Sequence, residues 1–145
     1  MIRPLESMRT GDDILAELTP QLVEVLGVAP DRIRMESGLM TDLGAESIDL
    51  LDLSFRIEEQ FKVTVEANEI EREAGKRLPG GLYEKDGRFT EEALAEIRRA
   101  APELDPAKLV TGLRKADLPS LLTVGFFVRL IARKLAAQAE GAPHA

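Results

Sequence analysis

Residues 47–61 hold no glycine or proline and carry two apolar stripes at helical spacing. Ile48, Leu51 and Phe55 fall at i, i+3 and i+7; Leu53, Ile57 and Phe61 fall at i, i+4 and i+8. The spacing predicts a helix from Ser47 to about Phe61. Leu53, Ile57 and Phe61 are expected in the core. Ile48, Leu51 and Phe55 then form a second apolar face with a different job.

Around this helix the chain reads as mainly α. Ile14, Leu18, Leu22 and Val25 recur at helical spacing across Asp12 to Leu26, and Gly27 is a stop signal. Pro20 lies inside that stretch, so it either kinks the helix or marks a restart capped by Thr19. Val28 to Thr41 is a long connection, and Lys62 to Val65 is a β-prone exit. Glu66 to Arg77 is charged with helical character, broken by Pro79-Gly80-Gly81. Leu82 to Thr90 forms a hairpin pattern around Asp86-Gly87. Thr90 caps a short helix through Arg99, and Asp105-Pro106 opens another toward Leu113. A last helix covers about Ser120 to Ala137, and Gly141 to Ala145 is a loose tail.

Composition excludes several chemistries. The 145 residues include no cysteine and one histidine, His144, at the very end. A Ser-His-Asp triad and a zinc site are therefore not expected. No GxxxxGK[ST] or GxGxxG run is present. Leu118 to Val128 is the longest apolar stretch, too short to span a bilayer, and no apolar run near Met1 reads as a signal peptide. A cytoplasmic protein is the expectation. The net charge of −7 is polarised: residues 11–71 hold fifteen acids against four bases, residues 72–145 ten against thirteen. The acidic half repels nucleic acid and attracts proteins with basic patches.

The run Asp42-Leu43-Gly44-Ala45-Glu46-Ser47-Ile48-Asp49 follows the long connection and opens the predicted helix. A lone serine at a helix start reads as an N-cap. In this setting the run resembles the phosphopantetheine-attachment motif of acyl carrier proteins, Asp-Leu-Gly-x-x-Ser-hydrophobic-Asp. Leu26-Gly27-Val28 upstream, Phe55 to Phe61 downstream and Thr123-Val124 before the last helix extend the resemblance. It covers about residues 12–68 and 118–137. Independently, a helix N-terminus has unpartnered N–H groups and a positive dipole end, which suit an attached phosphodiester.

The resemblance implies an acyl-carrier-like helical bundle, with short helices and a small hairpin inserted at about residues 69–117, all one domain over residues 1–145. It implies a carrier without catalytic residues, holding acyl thioesters on 4′-phosphopantetheine for fatty-acid or specialised lipid or polyketide synthesis. Ser47 is then the attachment point, with Asp42, Leu43, Gly44, Ile48 and Asp49 completing the motif. Ile48, Leu51 and Phe55 with Asp49, Asp52, Glu58 and Glu59 form the docking face, and Leu53, Ile57 and Phe61 the core and acyl pocket. The implied partners are a phosphopantetheinyl transferase, ketoacyl synthases and other acyl-processing enzymes with basic patches. The carrier is expected to be a monomer. The alternatives are a peptidyl or aryl carrier of the same fold, or an unmodified interaction protein.

The segment from Glu69 to Asp117 is longer than a family third helix requires. Leu121, Leu122, Val124, Phe126, Phe127, Val128, Leu130 and Ile131 wrap most of the last helix, so it should be buried on more than one side. The extra segment then packs on its outer face, or docks a dedicated synthase, or leaves a membrane-contacting face flanked by Arg129, Arg133 and Lys134.

Overall fold

The computed structural model describes residues 9–66 and 68–141. Among these, the first helix, α1, spans Gly11–Leu26. Thr10 caps it: its hydroxyl accepts from the Asp13 N–H at 3.1 Å, and the Thr10 N–H donates to the Asp13 carboxylate at 3.0 Å. Gly27, at φ 68°, ends it with a bond to the Val23 carbonyl. Pro20 does not restart the helix. Thr19 is no cap either, since its hydroxyl donates back to the Leu15 carbonyl at 2.7 Å. Leu18 and Leu22, on either side of Pro20, are both fully buried; that packing carries the helix through the missing donor.

A connection with one short 3-10 turn, Pro30–Arg32, leads to α2, which spans Ser47–Phe61. Both α2 bounds agree with the periodicity. Val63 and Val65 are buried beyond it, but the expected β-prone exit forms no strand. The α3 helix, Glu69–Gly75, is shorter than the charged stretch suggested. Strands β1 (Glu84–Lys85) and β2 (Arg88–Phe89) pair antiparallel. Asp86 at φ 57° and Gly87 at φ 79° supply the two left-handed residues that such a tight hairpin needs. The α4 helix, Glu91–Ala100, starts at Thr90, whose hydroxyl accepts from the Ala93 N–H at 3.0 Å.

Two expectations are corrected downstream. Asp105-Pro106 opens only a three-residue 3-10 turn, Pro106–Lys108, because the chain reverses at Gly112, φ 82°. The last helix, α5, spans Val124–Gly141 and starts later than Ser120. Residues Lys115–Leu121 form a 3-10 helix instead, with Pro119 supplying no backbone donor for a regular turn.

The fold is mainly helical with this one small hairpin. The α1 helix packs against both α2 and α5, and α3 packs against α4. The extra segment shares the core: Phe89, Leu94, Ile97, Leu104 and Leu109 belong to the same buried cluster as Leu18, Ile57 and Ile131. As the apolar circumference of α5 required, Val124, Phe126, Phe127, Val128, Leu130 and Ile131 are all buried. The cations of α5 are engaged by other parts of the fold. Arg129 donates to the Glu103 carbonyl at 3.0 Å, Arg133 pairs with the Glu103 carboxylate, and Lys134 pairs with Glu69 at 2.6 Å. They do not flank an open apolar face.

Candidate functional site

Asp42 shapes the approach to α2. Its carboxylate accepts from the Gly38 N–H at 2.7 Å, and its own N–H donates to the Gly38 carbonyl at 2.9 Å. Leu43 and Ala45 point inward and are buried. Gly44 between them adopts φ 75°, a conformation that any side chain would strain. The loop is also stitched to α5. Leu39 N–H donates to the Leu122 carbonyl at 3.0 Å and Gly125 N–H to the Met35 carbonyl at 2.8 Å. The close approach requires a glycine, because a Cβ at 125 would stand 2.8 Å from the Met35 carbonyl oxygen.

The helix that follows is capped by its neighbours. Glu46 is the N-cap residue, and its N–H donates to the Asp49 carboxylate at 2.8 Å. Ser47 is the first helical residue and is exposed. Among the described residues no protein group bonds its hydroxyl. The serine therefore lies at the positive end of α2 without serving as its cap.

Three faces of α2 are now distinct. Leu53, Ile57 and Phe61 are buried against the core. Ile48, Leu51 and Phe55 are 67%, 43% and 62% exposed, an open apolar strip beside Ser47. The third face was not apparent from the apolar pattern, because two of its residues are serines: Ser47, Leu50 and Ser54, at i, i+3 and i+7, line a cavity of about 440 Å³. The core residues Leu53, Ile57 and Phe61 do not line it. The sequence signal that would have revealed it is Ser54, which is buried on an otherwise acidic helix. Its hydroxyl is satisfied by the Leu50 carbonyl at 3.0 Å.

The acids around the strip are not equivalent. Asp49 is engaged in capping. Asp52 pairs with Arg56 at 3.2 Å, and Arg56 also reaches Glu24 at 2.9 Å and Gln21 at 3.0 Å. The Glu24 carboxylate, then Asp52, hold the Arg56 guanidinium above its ordinary range. Glu58 and Glu59 are exposed. Arg56, which the charge tally had not singled out, ties α2 to α1 from within the acidic face. Among the described residues, no helix is long and apolar enough to cross a membrane.

Comparison with known proteins agrees with this arrangement. The family model described as "Phosphopantetheine attachment site" matches residues 16–74, which takes in most of α1, the loop, α2 and nearly all of α3. The acyl carrier protein of Campylobacter fetus subsp. fetus is 41% identical over 59 residues, 41% of this chain and 77% of that protein. That of Campylobacter jejuni subsp. jejuni is 37% identical over 65 residues, 45% of this chain and 79% of that protein. The acyl carrier protein of Bdellovibrio bacteriovorus is 33% identical over 67 residues, 46% of this chain and 86% of that protein. Members of this family are carriers rather than catalysts, and their prosthetic group is 4′-phosphopantetheine. With its motif loop, its serine-led acidic helix and relatives matched over most of their length, the chain belongs to the acyl carrier protein family.

Proposed function

We propose that Ser47 is the attachment point of the phosphopantetheine arm and that the chain carries acyl intermediates for fatty-acid or specialised lipid or polyketide synthesis. The observation that carries this reading is the exposed Ser47 hydroxyl, first in α2, where Glu46 and Asp49 close the helix start without it. The residues present fit the group. A phosphodiester on Ser47 meets the unpartnered N–H groups and positive dipole end of α2, and the cavity along Leu50 and Ser54 gives space beside it. When bound, the arm supplies the thiol that holds the cargo as a thioester.

The surrounding residues divide the remaining work. Asp42 and Gly44 fix the loop that presents Ser47, and Leu43 anchors it. Ile48, Leu51 and Phe55 form the apolar contact for a partner, while Glu58 and Glu59 steer a basic patch toward it. Charges of this kind raise encounter rates more than static affinity, which suits a carrier that leaves each partner in turn. The partners are a phosphopantetheinyl transferase and acyl-processing enzymes such as ketoacyl synthases, met by a monomer in the cytoplasm. The whole chain acts as one carrier unit, since the segment after α3 buries its apolar residues in the same cluster as α1, α2 and α5.

Co-expression with a phosphopantetheinyl transferase, read by intact mass, tests the reading. The expected result is a gain of one arm in the natural chain and none in Ser47→Ala. No gain in the natural chain, or a gain that survives the substitution, overturns it.

A further inference from the structure

The acids within α2 are not equally available to a partner. The Asp49 carboxylate accepts from the Glu46 N–H at the helix start. Asp52 lies one turn before Arg56 and accepts from its Nε at 3.2 Å. The same guanidinium reaches the other way through Nη1, to Glu24 at 2.9 Å and Gln21 at 3.0 Å on α1. An isolated exposed pair gives way readily to a competing charge. Here acceptors from two helices hold one arginine, whose side chain is only 28% exposed. Glu58 and Glu59 are exposed, and among the described residues neither forms an ion pair.

The docking face therefore carries its free charge at one end. Glu58 stands eleven positions beyond Ser47, roughly 16 Å along the helix, and Asp52 stands five positions beyond it, roughly 8 Å. Asp52, Phe55, Arg56 and Glu59 line one open groove between α1 and α2. A cation brought to Asp52 would approach Arg56 as well, and would gain only a carboxylate that is already matched. Like charges placed that close oppose docking. A cation brought to Glu58 and Glu59 meets carboxylates that nothing else holds.

We propose that Arg56 determines partner choice. The chain fits a protein face whose cations meet Glu58 and Glu59, whose apolar surface covers Ile48, Leu51 and Phe55, and which places no cation at Asp52. Selectivity between similar partners needs a repulsive element beside the attractive one, and Arg56 supplies it. Enzymes whose basic patch runs the whole length of an acidic helix are disfavoured. The proposal rests on the reading of α2 as the docking face beside an arm on Ser47.

The test follows association of the full-length, arm-carrying chain with a ketoacyl synthase whose basic patch spans a whole acidic helix, by rapid mixing at low salt. Arg56→Ala should raise the association rate several-fold. Adding Asp52→Asn and Glu24→Gln should remove most of that increase, because it comes from the carboxylates that Arg56 releases. Lys108→Ala makes the same change in net charge at an exposed position of the extra segment and should have much less effect. No increase in Arg56→Ala, an equal increase in Lys108→Ala, or an increase that survives loss of both carboxylates would overturn the proposal. Arg56 also ties α2 to α1, and a purely structural role predicts a lower melting temperature with no faster association. If Arg56→Ala loses its helical circular dichroism, Arg56→Gln keeps an amide donor without the charge and should show the same faster association. A failed docking face shows differently: Glu58→Lys with Glu59→Lys then leaves association unchanged. A failure of Ser47 shows as a missing mass gain.

Discussion

The N–H of Glu46 donates to the Asp49 carboxylate at 2.8 Å, and this bond closes the start of α2 over a serine that takes no part in it. The motif aspartate therefore has a mechanical reason to follow the serine by two positions: it caps the helix and leaves the hydroxyl free. Asp49→Ala should cost about 0.5–1.5 kcal/mol in denaturant unfolding, the net worth of one hydrogen bond, and should slow arm transfer to Ser47. Unchanged stability together with unchanged transfer would show that the cap does not matter.

Two glycines hold the site by different physics. Gly44 has open space where a Cβ would go but adopts φ 75°, so Gly44→Ala should cost about 1–2 kcal/mol through backbone strain. At Gly125 the conformation is ordinary and the space is missing, so Gly125→Ala should cost about 1–3 kcal/mol by pushing α5 from the Met35 carbonyl. Chemical denaturation of both variants, with amide shifts at Leu39 to Ser47, separates local strain from displacement of the loop.

The extra segment should unfold with the rest. Ile97 on α4 is fully buried in the shared cluster, so Ile97→Ala should destabilise the chain by about 2–5 kcal/mol. The loss should appear as one cooperative transition followed by α2 and α4 probes alike. Two separated transitions would mean that the segment folds as an independent unit. Deleting residues 75–115 should lower the melting temperature for the same reason.

Glu58→Lys with Glu59→Lys should slow association with a basic-patched synthase several-fold at low salt, with the difference shrinking as salt screens it. Rapid-mixing kinetics across salt concentrations checks this. Phe55→Ala should instead speed dissociation and show little salt dependence.

Acid should weaken the fold through identifiable contacts. The Thr10 backbone N–H, then its hydroxyl, hold the Asp13 carboxyl below its usual 3.8, and Arg114 does the same for Asp117. Hydrogen bonds from Arg72 to Glu66 and from Lys76 to Glu73 hold those carboxyls below 4.5. A carboxyl lowered on folding stabilises the native state above its unfolded value, and that contribution disappears as pH falls through the folded value. Stability should therefore be steady near neutrality and decline below about pH 4.5, most visibly by helical circular dichroism. Asp13→Asn should make the decline shallower.

Much of the carrier was legible from local pattern. The bounds of α2, the Thr90 cap, the Asp86-Gly87 turn and the burial of Leu53, Ile57 and Phe61 all depend on spacing and on single-residue conformational preferences. The α5 apolar circumference also announced that something had to cover it. Less could be read where contacts between distant residues decide. Pro20 looked like a break, and Leu18 and Leu22 packing kept the helix whole. The charged stretch around α3 looked longer than it is. Asp52 looked like a free surface acid, but Arg56 holds it, along with Glu24 from another helix.

The order of residues alone determined where the helices form, which face of α2 is apolar, and that a serine opens it behind a glycine turn, because these follow from periodicities and dihedral limits within a few residues. Tertiary structure alone decided that the Ser47–Leu50–Ser54 face borders a cavity. It also decided that Glu103 and Arg99, from the extra segment, form the far wall. Those outcomes depend on α3, α4 and α5 bordering the same cavity as α2, which brings together side chains more than fifty positions apart.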